Sequence, residues 1–179
     1  MLSHEQFVKD IKEFYEYSKQ IKDFTWDFIN INGTSYLKKV IFSYTKYNQK
    51  LVNKNNQILK WEYNILYDII YQVPILYFNC CYENGILLNV HELLEQTPTP
   101  HKVDYKVALD WKFISQKDHP ILQIPYFYIH PCHTENIINI FKYEKARKND
   151  TKSKNMVISW LTLFGQFVNL EIPNVYANL

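Results

Sequence analysis

The sequence predicts an α+β fold, with helices flanking an antiparallel sheet. Residues alternate between apolar and polar from Trp61 to Tyr71, Asn-Gly pairs at Asn32-Gly33 and Asn84-Gly85 separate apolar runs, and apolar residues recur at helical spacing near the first residue. Aromatic residues make up 17% of the chain, with 15 tyrosines, and such side chains favour half-buried pleated surfaces.

The opening helix is carried by Phe7, Ile11, Phe14, Ser18 and Ile21, and Ser3 with Gln6 has capping-box spacing. Its apolar stripe is expected to cover the sheet. Strands are expected from Thr25 to Ile31 and from Tyr36 to Tyr47, joined at Asn32-Gly33, with a polar turn from Lys50 to Gln57. In the strand from Trp61 to Tyr71, Trp61, Tyr63, Ile65, Tyr67, Ile69 and Tyr71 share one face, and Glu62, Asn64 and Asp68 the other. Pro74 separates it from the run Ile75 to Tyr82, and Asn84-Gly85 returns the chain as a short strand, Ile86 to Leu88. The sheet therefore reads as a meander.

Asn89 and Glu92 have capping-box spacing ahead of a short helix that Thr97-Pro98-Thr99-Pro100 stops. A loop-rich stretch runs to about Gln123, Tyr126 to Ile129 reads as an aromatic strand, and helices are expected over Thr134 to Lys142 and Lys154 to Phe164, the last ended by a Gly165 cap. All three glycines then serve structure, which leaves none for a nucleotide-phosphate loop.

Bulk properties narrow the functional classes. A length of 179 residues with 47% apolar content suits one domain over 1–179 with one core. Twenty basic against 18 acidic residues give a net charge of +2, which offers no footprint for nucleic acid. No apolar run approaches the roughly 20 residues that span a bilayer, and Met1 to Asp10 is charged where a signal peptide is apolar, so a cytoplasmic location is expected. Lys9, Lys12, Lys19 and Lys22 of the first helix are offset by Glu5, Asp10, Glu13, Glu16 and Asp23, and neither end carries a lipidation motif, so no stable membrane binding is expected. Three cysteines, two of them adjacent, make no even disulfide framework and point to a reducing compartment.

The local feature that carries chemistry is His130-Pro131-Cys132-His133-Thr134, between an expected strand and an expected helix. Pro131 cannot extend the strand's pairing, and Thr134 as N-cap would place Cys132 just ahead of a helix start, where the dipole favours a thiolate. His130 and His133 flank it as groups able to support thiolate formation or pass a proton. The bland alternative is a small buried cysteine among surface histidines. His130, Cys132 and His133 are too close together to serve as three zinc ligands, so no metal is expected. As a protease the chain would need a further base, and nothing selects among His91, His101 and His119. Cys80 and Cys81 point to opposite faces of a strand and read as packing residues, and the carboxylates show no acid–base pairing.

His130-Pro131-Cys132 with His133-Thr134 resembles the active-site motif of the two conjugating enzymes of autophagy. Tyr71-Gln72-Val73-Pro74-Ile75-Leu76-Tyr77-Phe78, His119-Pro120-Ile121-Leu122 and Ser159-Trp160-Leu161 resemble the autophagy-related protein 10 family in order and spacing, from about Trp61 to Tyr176. The resemblance implies an E2-like, reduced ubiquitin-conjugating fold, a curved antiparallel sheet flanked by helices. It implies an enzyme without cofactor that accepts the ubiquitin-like autophagy-related protein 12 from activating enzyme autophagy-related protein 7. The modifier would form a thioester on Cys132 and pass to a lysine of autophagy-related protein 5, with His130 supporting.

Ordinary ubiquitin-conjugating enzymes carry His-Pro-Asn several residues before the cysteine, whereas here the His-Pro abuts Cys132. The oxyanion-stabilising role then falls to His130, to helix-start amides near Thr134, or to a tyrosine from the Trp61 to Tyr71 strand. The alternatives are the lipid-conjugating sister, autophagy-related protein 3, whose long acidic insertion this chain lacks, and a noncatalytic adaptor of the same fold.

Overall fold

The computed structural model describes residues 2–45, 57–97, 114–131, 134 and 155–178. Helix α1 (His4–Ser18) precedes strands β1 (Asp27–Ile31), β2 (Thr34–Tyr44), β3 (Ile58–Asp68) and β4 (Val73–Tyr82). Helix α2 (Val90–Gln96), strands β5 (Ile114–Asp118) and β6 (Pro125–Ile129), helix α3 (Met156–Phe164) and two 3-10 helices (Gly165–Val168 and Asn174–Asn178) follow. One six-stranded antiparallel sheet runs in the order β1-β2-β3-β4-β6-β5. The first four strands are the expected meander, and β6 joins them through Tyr77 opposite Tyr128 and Phe78 opposite Phe127.

Strand alternation gives the sheet two different faces. Leu59, Trp61, Tyr63 and Ile65 of β3, with Leu37, Leu76, Phe78 and Phe127, face Phe7, Ile11 and Phe14 of α1 and Val157, Trp160, Leu161 and Phe164 of α3 in the main core. The opposite face holds a smaller cluster of Tyr36, Leu66, Ile75, Tyr77 and Tyr126. Polar links lock the helical layer. Asn155 caps α3 by accepting from the Ile158 N–H at 3.0 Å, and its Nδ2 donates to the Asp10 carbonyl at 2.8 Å. The Met156 N–H donates to the Asp10 carboxylate at 3.0 Å, so α1 and α3 share a buried polar junction.

Both helix starts use the expected residues, with one difference. At α2 the box is complete: the Asn89 side chain accepts from the His91 and Glu92 N–H groups, and Glu92 accepts from the Asn89 N–H. At α1, Ser3 accepts from the Gln6 N–H at 3.1 Å, but the Gln6 side chain reaches forward to Asp10 at 2.6 Å, so only half of the box forms. Asn32 and Gly33 adopt φ of 52° and 82°, the left-handed pair a tight hairpin needs.

Several boundaries shift. Strand β3 begins at Ile58 and stops at Asp68, leaving Ile69 and Ile70 80% and 84% exposed rather than continuing the alternation. The Asp68 carboxylate causes the stop by accepting from the Ile70 and Tyr71 N–H groups, each at 3.0 Å, which closes a turn. Pro74 lies inside β4, near its start, where a strand tolerates a missing N–H. Ile86 to Leu88 makes an isolated bridge, Leu87 opposite Cys81, instead of a strand. β5 emerges within the stretch read as loop: its sequence, ISQKD, has no apolar alternation because it is a polar edge strand held by β6 alone. Most of the polar turn from Lys50, His101, and the Thr134 to Lys142 helix beyond Thr134 lie outside the described residues.

Gly165 also differs from expectation. Its φ is −58°, so it does not end the helix in a left-handed cap; the chain tightens into a 3-10 turn that ends at Asn169 with φ of 60°. Glycine is needed for proximity, since a Cβ there would lie 2.5 Å from the Leu170 carbonyl oxygen. Gly165→Ala is therefore expected to lower stability by about 1–3 kcal/mol, the usual range for overpacking. Urea denaturation measures this, and an unchanged midpoint would show that the Leu170 backbone yields freely.

Candidate active site

The residues before Cys132 are held by the sheet. β6 pairs with β5 along its whole length and with β4 at its centre, and Ile129 is fully buried in the main core. After Ile129 the strand ends at His130, and Pro131 is already helical. Proline suits a first helical position, because the N–H it lacks would have no helical partner there.

Thr134 is helical too, so it does not cap the helix as the sequence suggested. Fully buried, it accepts through Oγ1 from the Trp160 indole N–H at 3.1 Å. Helical conformation is thus present at Pro131, earlier than expected, and Thr134 is fastened to α3. Cys132 and His133 lie outside the described residues.

His130 is half-buried, with its ring beside those of two tyrosines. Tyr71 meets it edge-on, centroids 5.9 Å apart with planes at 75°, and Tyr128 lies 6.1 Å away at 38°. Tyr71 belongs to the β3–β4 turn, so a tyrosine from that segment does lie beside the motif. Neither contact is evident from local sequence alone. The signals for them are the period-two pairing of Tyr126 with Tyr128 on one face of β6 and the Asp68-to-Tyr71 spacing of a side-chain-closed turn.

The remaining histidines and cysteines take structural places. His119 is fully buried against the rings of Tyr36, Tyr77 and Tyr126, at 5.9, 5.1 and 5.1 Å. Its Nδ1 accepts from the Ile121 and Leu122 N–H groups at 3.3 and 3.2 Å, so it turns the chain towards β6. His91 is exposed at the start of α2. Cys80 is buried in the main core, where burial pushes its thiol up to about 12, away from thiolate chemistry. Cys81 is half-buried and faces the opposite side.

Beside His119, the Glu62 carboxylate accepts from the Tyr126 hydroxyl at 2.6 Å and from Lys38 at 2.9 Å. Burial alone would raise the Glu62 carboxyl, but these donors and the Lys38 charge hold it below its usual value. Among the described residues no group of three His, Cys, Asp or Glu side chains is arranged to hold a metal ion.

Burial lowers the His119 value from the ordinary 6.5 to about 4. Between those values the unfolded chain binds the extra proton, so the stability conferred by the neutral ring is complete above pH 6.5 and is lost as pH falls towards 4. One such proton gives a slope of at most about 1.4 kcal/mol per pH unit. His119→Asn keeps an acceptor for the turn and cannot take up the proton. Urea midpoints of the two proteins at pH 7 and pH 5 are expected to diverge, with the wild type losing more, and parallel losses would contradict this assignment.

Residues 6–175 match the family described as autophagocytosis associated protein, active-site domain. The chain is 35% identical over 125 residues to the ubiquitin-like-conjugating enzyme ATG10 of Homo sapiens, covering 68% of this chain and 54% of that protein. It is 30% identical over 119 residues to the enzyme of the same name from Arabidopsis thaliana, covering 66% and 52%. Autophagy-related protein 3 of Dictyostelium discoideum is 28% identical over 127 residues, 69% of this chain and 34% of that protein. The matched regions span about half the length of the ATG10 relatives. The chain belongs to the autophagocytosis-associated protein family that includes the ATG10 conjugating enzymes.

Proposed function

We propose that this chain is an E2-like transferase of autophagy, one domain over 1–179 that acts in the reducing cytoplasm. It accepts the ubiquitin-like autophagy-related protein 12 from activating enzyme autophagy-related protein 7 and passes it to a lysine of autophagy-related protein 5. The observation that carries this reading is the His130-Pro131-Cys132 sequence at a strand-to-helix junction within a matched active-site domain. No described helix is long and apolar enough to cross a membrane.

In the first step the Cys132 thiolate attacks the thioester carbonyl of the modifier on the activating enzyme. A new carbon–sulfur bond forms as that enzyme's thiolate leaves, so no energy-rich bond is lost. In the second step the lysine amine attacks the Cys132 thioester, the tetrahedral oxyanion collapses, the Cys132 thiolate departs, and the nitrogen sheds a proton. His130, two residues before the nucleophile in sequence, is the group proposed to support the oxyanion or take that proton.

With activating enzyme, ATP and modifier, the purified protein is expected to form an adduct that thiol reductant removes and that survives Cys80→Ser and Cys81→Ser. The adduct discharges onto autophagy-related protein 5, and phosphatidylethanolamine vesicles leave its rate unchanged. Discharge onto the vesicles at a rival rate would move the chain to the lipid-conjugating sister, and failure to form any adduct would leave the adaptor reading. His130→Ala is expected to slow discharge more than loading, by about 100- to 10,000-fold, the range of a general acid or base. Single-turnover discharge with a thermally intact variant is the check, and a normal rate per folded molecule would reduce His130 to a turn residue.

A further inference from the structure

We propose that Asp68 is a positioning residue for this chemistry, holding both tyrosines that flank His130: Tyr71 through the turn it closes and Tyr128 through Lys117. The proposal rests on the reading of His130 and Cys132 given above.

Asp68 ends β3, with its side chain 13% exposed, and uses its two oxygens separately. Oδ1 accepts from the Ile70 and Tyr71 N–H groups at 3.0 Å each. The turn is held on its far side as well, since Gln72 adopts φ of 53° and its carbonyl accepts from the Leu2 N–H at 2.8 Å. The backbone of Tyr71 is thus tied at neighbouring positions, and its ring lies edge-on to His130.

Oδ2 lies 3.9 Å from Lys117 Nζ, which sits 4.6 Å from the Tyr128 ring centroid and 5.3 Å from that of Tyr77. Lys117 is on the edge strand β5, opposite Tyr126, so the carboxylate reaches across the sheet face towards the cation that lies over Tyr128. Tyr128 in turn flanks His130 from the strand side.

Stability alone does not account for this arrangement. A partly exposed ion pair at this distance contributes little. The same turn leaves Ile69 and Ile70 almost fully in water, against the hydrophobic effect. Besides reversing the chain between β3 and β4, the turn presents Tyr71 to His130. An asparagine at this position retains an acceptor for the turn but no charge for Lys117, an alanine retains neither, and only a carboxylate serves both arms. Pro131 follows immediately with its φ fixed, and the rings of Tyr71 and Tyr128 help to set where the His130 imidazole stands relative to it.

The test uses the full chain in single-turnover discharge, together with NMR of the His130 Hε1 and Hδ2 signals, which the two tyrosine rings shift by their ring currents. Asp68→Ala is expected to load normally, to discharge about 10- to 100-fold more slowly, as small misplacements of a reacting group do, and to move both His130 signals towards free-imidazole positions. Asp68→Asn and Lys117→Met are expected to match one another, with intermediate rates and intermediate shifts, because each removes only the Tyr128 arm. Should Asp68→Ala not fold, the agreement between the other two variants decides.

Unchanged discharge in Asp68→Asn and Lys117→Met, or slowed discharge with unmoved His130 signals, overturns the positioning role. Absence of any adduct on the wild-type protein overturns the functional reading instead, and the NMR comparison still reports whether the two rings lie beside His130.

Discussion

The interaction on which the candidate site depends is the buried hydrogen bond from the Trp160 indole to Thr134. Both side chains are fully buried, and a buried indole N–H without an acceptor costs about 1–3 kcal/mol, so this threonine and this tryptophan specify one another. The bond fastens Thr134 to α3, and the Asn155–Asp10 junction fastens α3 to α1. Upstream, β6 is anchored between β4 and β5. Cys132 therefore stands in the chain between a sheet strand and a residue pinned to the helical layer.

The two sheet faces divide the work. One carries the helices and the main apolar core, where Tyr63 donates to the Val168 carbonyl at 2.7 Å and Cys80 is kept protonated by burial. The other carries tyrosines, His119 and the Glu62 cluster, an aromatic surface with its polar groups mostly paired inside it. His119 and His130 show how environment separates chemically identical side chains. One is buried and neutral, with its Nδ1 accepting from two backbone N–H groups, and the other is half-exposed at the end of a strand, two residues before the candidate nucleophile in sequence. A thioester enzyme needs only a few groups of the second kind, because its substrate arrives already activated.

Much of this was legible in the sequence because it follows from local rules. The Asn32-Gly33 turn, the core face of Trp61, Tyr63 and Ile65, the α2 box and the opposite facing of Cys80 and Cys81 all follow from backbone geometry over a few residues. The errors share the opposite property. β5 is polar and depends on β6 for its existence, the end of β3 is decided by one carboxylate, and Gly165 is required by a neighbour five residues on. Thr134 looked like a cap because a cap is the usual local use of threonine, while its actual partner is 26 residues away. The tyrosines around His130 come together only through the strand order, which sequence spacing does not contain.

Cys132 is the nucleophile proposed for the chemistry of this chain. Replacing its sulfur by oxygen tests this most directly, since Cys132→Ser can take the modifier as an ester that thiols no longer cleave. After incubation with activating enzyme, ATP and modifier, mass spectrometry of the digested adduct is predicted to find the modifier's C-terminal glycine esterified to residue 132, stable to reductant and cleaved by alkali. An adduct that stays reductant-sensitive and maps to Cys80 or Cys81 would contradict the account.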